Sequence, residues 1–194
     1  MNFIENGDGA LLNTTKSEIK TILLNFELMR WKATCLMYTE LSIYTECVKS
    51  IKTHVWWFLA RKRPHLIYKI AALLSVCMGN EPKGMKCEFR RRLCFLCNTR
   101  QPASPKHILF ECESFSSTRS SKLKVIIDSM PNGMRSSFME MNLNEKTTLL
   151  LSGLHCNKYI EEWSQLLINI CEFVYEMYRQ RKIIYDDMFE VGIT

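Results

Sequence analysis

Glycine and proline are scarce, 7 and 5 in 194 residues, which excludes collagen-like, linker-like and proline-rich low-complexity chains. No internal repeat is visible, so a solenoid or propeller is excluded as well. Long apolar runs are also missing. The best, Ile70 to Met78, falls far short of the roughly 18 residues that a membrane-spanning helix needs. The first ten residues carry Glu5 and Asp8 where a secretory leader carries cations, so neither membrane insertion nor export is expected, and a reducing, intracellular compartment is. Histidine is rare: His54, His65, His107 and His155 are the only four, which leaves no cysteine–histidine pair arranged for nucleophilic catalysis.

What is present is ordinary for a folded chain: 47% hydrophobic and 24% charged residues. Two features stand out. The first is nine cysteines, an odd number that in a non-exported chain reads as reduced thiols or metal ligands rather than a disulfide framework. The second is the basic excess. Between Gly79 and Lys124 there are ten cations and four acids, an excess equal to the net charge of +6 of the whole chain.

The pattern of apolar residues predicts a mainly α-helical protein with a small Cys3His zinc-knuckle insertion and a long C-terminal helix. Three segments are expected: a helical one over 1–80, a basic zinc-finger segment over 81–130 and a second helical one over 131–194. Ser17 offers an N-cap to an amphipathic helix carrying Ile19, Ile22, Leu23, Phe26 and Met29 through Trp31. From Ala33 to Ala60 the β-branched residues predict helices with at least one break. Pro64 suits the first turn of a helix over His65 to Met78, stopped by Gly79-Asn80. Further on, a basic helix is expected over Thr118 to Met130, a turn at Pro131-Asn132-Gly133, and a short helix capped by Asn144 and ending at Ser152. The last helix is expected to start at Asn157 or Lys158 and run to about Tyr185, with Ile160, Trp163, Leu167, Ile170, Val174 and Met177 forming a continuous packing seam. Arg179, Arg181 and Lys182 then fall in its last turns, where cations complement the helix dipole.

The chemistry concentrates in the middle. Cys94 and Cys97, then His107 and Cys112, form the pattern C-x2-C-x9-H-x4-C. A C-x2-C pair turns two thiolates toward one point, and four sulfur or imidazole ligands complete the closed tetrahedron that Zn2+ prefers, so one structural zinc ion is expected at Cys94, Cys97, His107 and Cys112. The intervening loop, with Pro102 and Pro105, is long enough to fold one pair over the other, and Ser104-Pro105 reads as an N-cap followed by the first helical residue. Phe95, Leu96, Ile108 and Phe115 can supply a miniature core. On a straight α-helix, however, residues five apart point about 140° away from each other. Either the turn between His107 and Cys112 is distorted, or Cys112 lies beyond the helix end. Cys35, Cys47, Cys77 and Cys171 sit among apolar residues and read as small buried hydrophobes. Cys87 is a spare ligand at most, and His155-Cys156 is a weak pair.

Arg90-Arg91-Arg92, flanked by Phe89 and Phe95, has the composition of a phosphate-contacting surface beside a stacking aromatic. With Arg100, Lys106, Arg119 and Lys122 it defines the candidate nucleic-acid contact, for RNA or single-stranded DNA. Trp56-Trp57-Phe58 followed by Arg61-Lys62-Arg63 is a second basic and aromatic patch, ranked lower because half of an adjacent aromatic pair is usually core.

The order of features from the leucine-rich helix ending at Gly79-Asn80, through Cys94-Phe95-Leu96-Cys97 and His107-Ile108-Leu109-Phe110-Glu111-Cys112, to Leu149-Leu150-Leu151-Ser152-Gly153 and the helix ending in Phe173 to Arg181, resembles the C-terminal zinc-binding region of non-LTR (LINE-type) retrotransposon reverse transcriptases. The resemblance covers about residues 55–182. It implies zinc at Cys94, Cys97, His107 and Cys112, contact with template RNA or target DNA, and a polymerase-bearing polypeptide of the same element as a partner. Polymerase chemistry needs carboxylates that hold two metal ions. The sole Asp-Asp here, Asp186-Asp187, directly follows Tyr185 and lacks the residue that separates aromatic from carboxylates in that family. No endonuclease segment is visible either, so a non-catalytic binding fragment is expected. The alternative is a helical protein-interaction module with neither metal nor nucleic acid, its long C-terminal helix docking a partner.

Overall fold

The computed structural model of the chain describes residues 15–37, 47, 54–78, 93–153 and 162–190. Among these residues the protein is helical, with no strand; one isolated antiparallel bridge pairs Leu93 with Pro102. No described helix is long and apolar enough to cross a membrane.

Helix α1 (Lys16–Leu36) is capped by Thr15, two residues before the expected Ser17. The Thr15 hydroxyl accepts from the Glu18 amide, and the Glu18 carboxylate accepts from the Thr15 amide at 2.7 Å, a reciprocal capping box. Its apolar residues Ile22, Leu23, Phe26 and Met29 are exposed.

Helix α2 (Val55–Lys62) begins at His54, whose Nδ1 accepts from the Trp56 amide. It ends at Arg63 because a residue preceding proline is sterically excluded from the α region; Arg63 sits at φ −132°, ψ 72°. Pro64 then opens a single tight turn, Pro64–Leu66, before α3 (Ile67–Cys77). Leu66 in that turn and Ile70, Leu73 and Cys77 on α3 are buried, while Ile67 is exposed.

After the metal-candidate segment come α4 (Ser116–Ser129), α5 (Asn132–Glu140), α6 (Leu143–Leu151) and α7 (Ser164–Glu190). The expected turn at Pro131-Asn132-Gly133 is the start of α5: Pro131 occupies the capping position, and the Arg135 amide donates to its carbonyl at 2.9 Å. Proline's fixed φ suits a helix start as well as a turn, and Phe138 on α5 is buried in the core. Asn142, not Asn144, caps α6, in a second capping box with Glu145.

α7 starts later and ends later than its sequence pattern predicted. Glu162 and Trp163 lie in a turn, and the helix runs through Glu190. Ile160 and the expected start at Asn157 or Lys158 fall outside the described residues. Leu167, Ile170, Val174 and Met177 are buried as the seam required, but so are Leu166, Cys171 and Phe173. The buried stripe is broader than a two-helix seam because α7 packs on two partners, α3 and α4. Arg179, Arg181 and Lys182 are therefore mid-helix, not at its dipole end. Arg179 pairs with Glu176 at 2.9 Å and Lys182 with Asp186 at 2.7 Å, while Arg181 is buried.

One hydrophobic cluster draws on all three expected segments, from Trp56 and Leu73 through Leu109 and Phe115 to Phe138 and Phe173. At its centre the wholly buried Trp56 donates its indole N–H to the Leu151 carbonyl at 2.7 Å, tying α2 to the end of α6. That end is formed by Gly153, at φ +68°, where an added Cβ would meet Val55 Cγ1 and lie 3.3 Å from the Trp56 ring. Val55 is short and β-branched, so it has no room to swing away. Gly153→Ala should cost roughly 2–4 kcal/mol, from the left-handed backbone and overpacking together. Thermal melting should show a fall of about 5–10 °C; an unchanged melt would mean that the turn relaxes freely.

Candidate metal centre

The centre is assembled by three local devices. The first is the loop between the Leu93–Pro102 bridge positions, where the Cys94 amide donates to the Gln101 carbonyl at 2.7 Å. Arg100 closes the loop in the left-handed region at φ 52°, and this folds Cys97 back beside Cys94. The second is the start of the following helical turn. Ser104 accepts at its side chain from the His107 amide and at its carbonyl from the Ile108 amide, the N-cap predicted for Ser104-Pro105.

The third device settles the geometric problem posed by the x4 spacing. His107–Glu111 forms a π-helical turn, closed by a hydrogen bond of 2.7 Å from the Cys112 amide to the His107 carbonyl. An i→i+5 ring holds one residue more than an α turn, so the fifth residue returns toward the azimuth of the first. Cys112 itself has already left the helix, at φ −61°, ψ 121°. Both alternatives left open by the sequence hold together: the turn is widened, and Cys112 lies past its end. Arg119, one turn into α4, donates to the Cys112 carbonyl at 3.0 Å and holds that exit conformation.

As a result Cys94, Cys97, His107 and Cys112 bring three sulfurs and one imidazole nitrogen within 4.8 Å of one another. The Cys94 and Cys112 sulfurs are 3.8 Å apart, and Cys97 Sγ lies 3.3 Å from His107 Nε2. The edge of a tetrahedron of sulfurs around a metal at the usual Zn–S length is about 3.8 Å. The cluster can therefore hold one metal ion, with Nε2 as the imidazole donor. The other ring nitrogen, Nδ1, is buried without a hydrogen bond and faces the Glu111 carboxylate at 3.7 Å. That carboxylate also pairs with Lys106 at 3.3 Å.

The electrostatics show what these groups do without a cation. Burial pushes the Cys94 thiol above its ordinary value and the Cys112 thiol up to about 12. Burial also raises Cys97, but hydrogen bonds from the Thr99 side chain and backbone and from the Cys94 and Cys112 side chains together outweigh it, and this thiol lies below its ordinary value. His107 is shifted down, chiefly by burial and against the opposing pull of Glu111, which favours the neutral ring that a metal ligand needs. Buried sulfurs that resist ionisation become stable thiolates only beside a positive charge, so this arrangement suits a divalent cation.

The expected miniature core is present. Phe115 is wholly buried, Ile108 is buried and Leu96 is half-buried against the main cluster. Ser114 donates to the Leu96 carbonyl across the site. Phe95 is half-buried, not free-standing: its ring meets Tyr185 edge-on at 5.9 Å, and the Arg181 guanidinium lies 5.4 Å from its centroid. The knuckle is thus seated on α7. Cys35, Cys47, Cys77 and Cys171 are buried, as their apolar settings predicted.

Of the candidate nucleic-acid residues, Arg90, Arg91 and Arg92 lie outside the described residues, as do Cys87 and the His155-Cys156 pair. Arg100 and Lys122 are exposed. Lys106 and Arg119 are half-buried and engaged with Glu111 and the Cys112 carbonyl. The residues that sequence reasoning missed are the supports: Thr99, Glu111, Arg119 as a backbone clamp, and Arg181 with Tyr185 as the seat. Glu111 carried a usable signal, four residues after His107 in a helical stretch; Arg181 and Tyr185 carried none, being 86 and 90 positions from Phe95.

Comparison of the chain with protein-family models, with curated proteins and with solved structures finds no match.

Proposed function

We propose that this chain is a non-catalytic nucleic-acid-binding segment stapled by one structural zinc ion at Cys94, Cys97, His107 and Cys112. The observation that carries the reading is the convergence of those four ligand atoms to within 4.8 Å through a π turn. Three sulfurs and one imidazole favour zinc over the hard, oxygen-seeking cations, and four protein ligands close the coordination sphere, which is the pattern of a structural rather than a catalytic ion. The nucleic-acid part rests on the basic composition around the knuckle, with Arg100 exposed in its loop and Lys122 and Lys124 exposed on α4. The likeness of the Cys/His blocks to the tail of LINE-type reverse transcriptases adds an origin for such a segment and a polymerase-bearing partner. Asp186, salt-bridged to Lys182 at 2.7 Å along α7, fits a surface role better than metal-dependent polymerisation.

The reading predicts that the purified protein binds a single-stranded RNA 20-mer with an affinity that falls steeply as salt rises from 50 to 200 mM, by roughly 7-fold for every two phosphates neutralised. Fluorescence anisotropy at several salt concentrations measures this, and Arg100→Ala with Lys122→Ala should flatten the slope. Absence of salt-dependent binding would favour the interaction-module alternative, for which the exposed apolar residues of α1 speak.

A further inference from the structure

The second aromatic and basic patch is divided by α2 into an inner and an outer face. Trp56 is wholly buried, but its neighbour Trp57 is 47% exposed. Trp57 and Arg61 are four residues apart and share one side of the helix. Arg61, Lys62, Arg63 and His65 are all exposed around the α2 terminus. Arg61 and Arg63 form no ion pair among the described residues.

The reason lies in the sequence around them. From Cys47 to Asn80 there are six cations and not one Asp or Glu, a second basic excess as large as that of the knuckle segment and offset by acids elsewhere. Of these cations, Lys69 is neutralised within the fold by Glu172 at 2.9 Å. The α2 face is left with Arg61 and Arg63, which no described carboxylate pairs, and with an indole that is half exposed.

We propose that this face is a binding site for single-stranded nucleic acid, with a base stacked on Trp57 and the phosphates on either side held by Arg61 and Arg63. A polynucleotide offers an anion and a flat π surface in every repeating unit, which is what this face combines. An acidic peptide would use the cations and leave the indole idle. A lipid surface would call for more than one aromatic or aliphatic side chain beside the cations. Because stacking and phosphate contacts do not read the 2′-hydroxyl, the site takes RNA and DNA single strands alike. The inference deepens the nucleic-acid reading given above, but it assigns binding to different residues on a different element, so the two fail separately.

The test is anisotropy titration of labelled U20 and dT20 against the zinc-loaded full chain, at several salt concentrations. The variants are Trp57→Ala, Trp57→Phe, Arg61→Ala with Arg63→Ala, and Arg100→Ala with Lys122→Ala, each checked for an unchanged melt. All the substituted side chains of α2 are outside the core, so folding should survive. Trp57→Ala should weaken both oligonucleotides by about tenfold, and Trp57→Phe should recover most of that loss. The Arg61/Arg63 variant should lower the salt slope by about 1.4, or 0.7 for each single-strand phosphate contact. If only the Arg100/Lys122 variant weakens binding, the α2 site is overturned and the knuckle reading stands. If only the α2 variants weaken it, the α2 site stands and the knuckle is not the contact. If wild type binds neither oligonucleotide, both readings fall. Equal displacement by polyglutamate and by unlabelled oligonucleotide, with Trp57→Ala unchanged, would also overturn the proposal, since the face would then be a site for acidic chains.

Discussion

Chelation of the proposed zinc ion is expected to melt the knuckle and loosen its seat on α7. Structural zinc contributes on the order of 10 kcal/mol to the folding of small zinc-dependent units. Here the ligands are embedded in the main core, through Cys94, Ile108, Leu109, Cys112 and Phe115. Loss of even half that free energy should lower the melting temperature by about 10–20 °C at this chain length. Metal analysis should find one equivalent in wild type and none in a Cys94→Ser, Cys97→Ser double variant. Cys171→Ser, outside the cluster, should leave the stoichiometry at one. The pH dependence has a definite sign: the metal binds thiolates, so loading releases thiol protons, and acidification must favour release of the ion. The buried Cys94 and Cys112, both shifted up, make that proton competition stronger than for free thiols. A protein without metal, whose melt ignores a chelator, would remove the zinc reading altogether.

Truncation of Trp56 is expected to produce the largest effect among core substitutions. Its side chain is wholly buried, its indole N–H satisfies the Leu151 carbonyl at 2.7 Å, and it packs against the turn at Gly153. Trp56→Ala should cost about 3–5 kcal/mol through the cavity. Trp56→Phe keeps most of the apolar contact and loses the hydrogen bond, which should cost about 1–3 kcal/mol for the orphaned carbonyl. Cys77, whose sulfur lies 3.8 Å from the same carbonyl, is placed to soften that penalty. Urea denaturation of the two variants separates packing from hydrogen bonding. Equal losses in both would mean that the hydrogen bond, not the cavity, dominates. The neighbouring Trp57→Ala should leave stability within about 0.5 kcal/mol, as for surface substitutions generally.

The contrast between these adjacent tryptophans marks where sequence reading stops. A pair of aromatics on a helix implies that one is inside, but nothing in Trp56-Trp57 itself says which. The choice follows from where α6 ends, because there the Leu151 carbonyl accepts from the indole N–H. The same holds for Arg179, Arg181 and Lys182. Their spacing near an expected helix end invited a dipole explanation, yet α7 continues to Glu190 and each cation finds its own neighbour, a carboxylate for two of them and the Phe95 ring for the third. Helix starts without a capping side chain are poorly marked in sequence, and the residue before α7 is Trp163.

The amino-acid sequence by itself determined the helical class, the seam of Leu167, Ile170, Val174 and Met177, the burial of Cys35, Cys47, Cys77 and Cys171, and the four-residue Cys/His set. All of these depend on periodicity or ligand type, which are local properties. Tertiary structure alone decided the π turn that lets His107 and Cys112 share a centre, the seating of Phe95 on Arg181 and Tyr185, the breadth of the buried stripe on α7, and the exposure of Trp57. Each of these depends on what a residue meets across tens of positions of chain. The free-energy difference between an α and a π turn, or between two rotations of a helix, is small beside that of the contacts that select it.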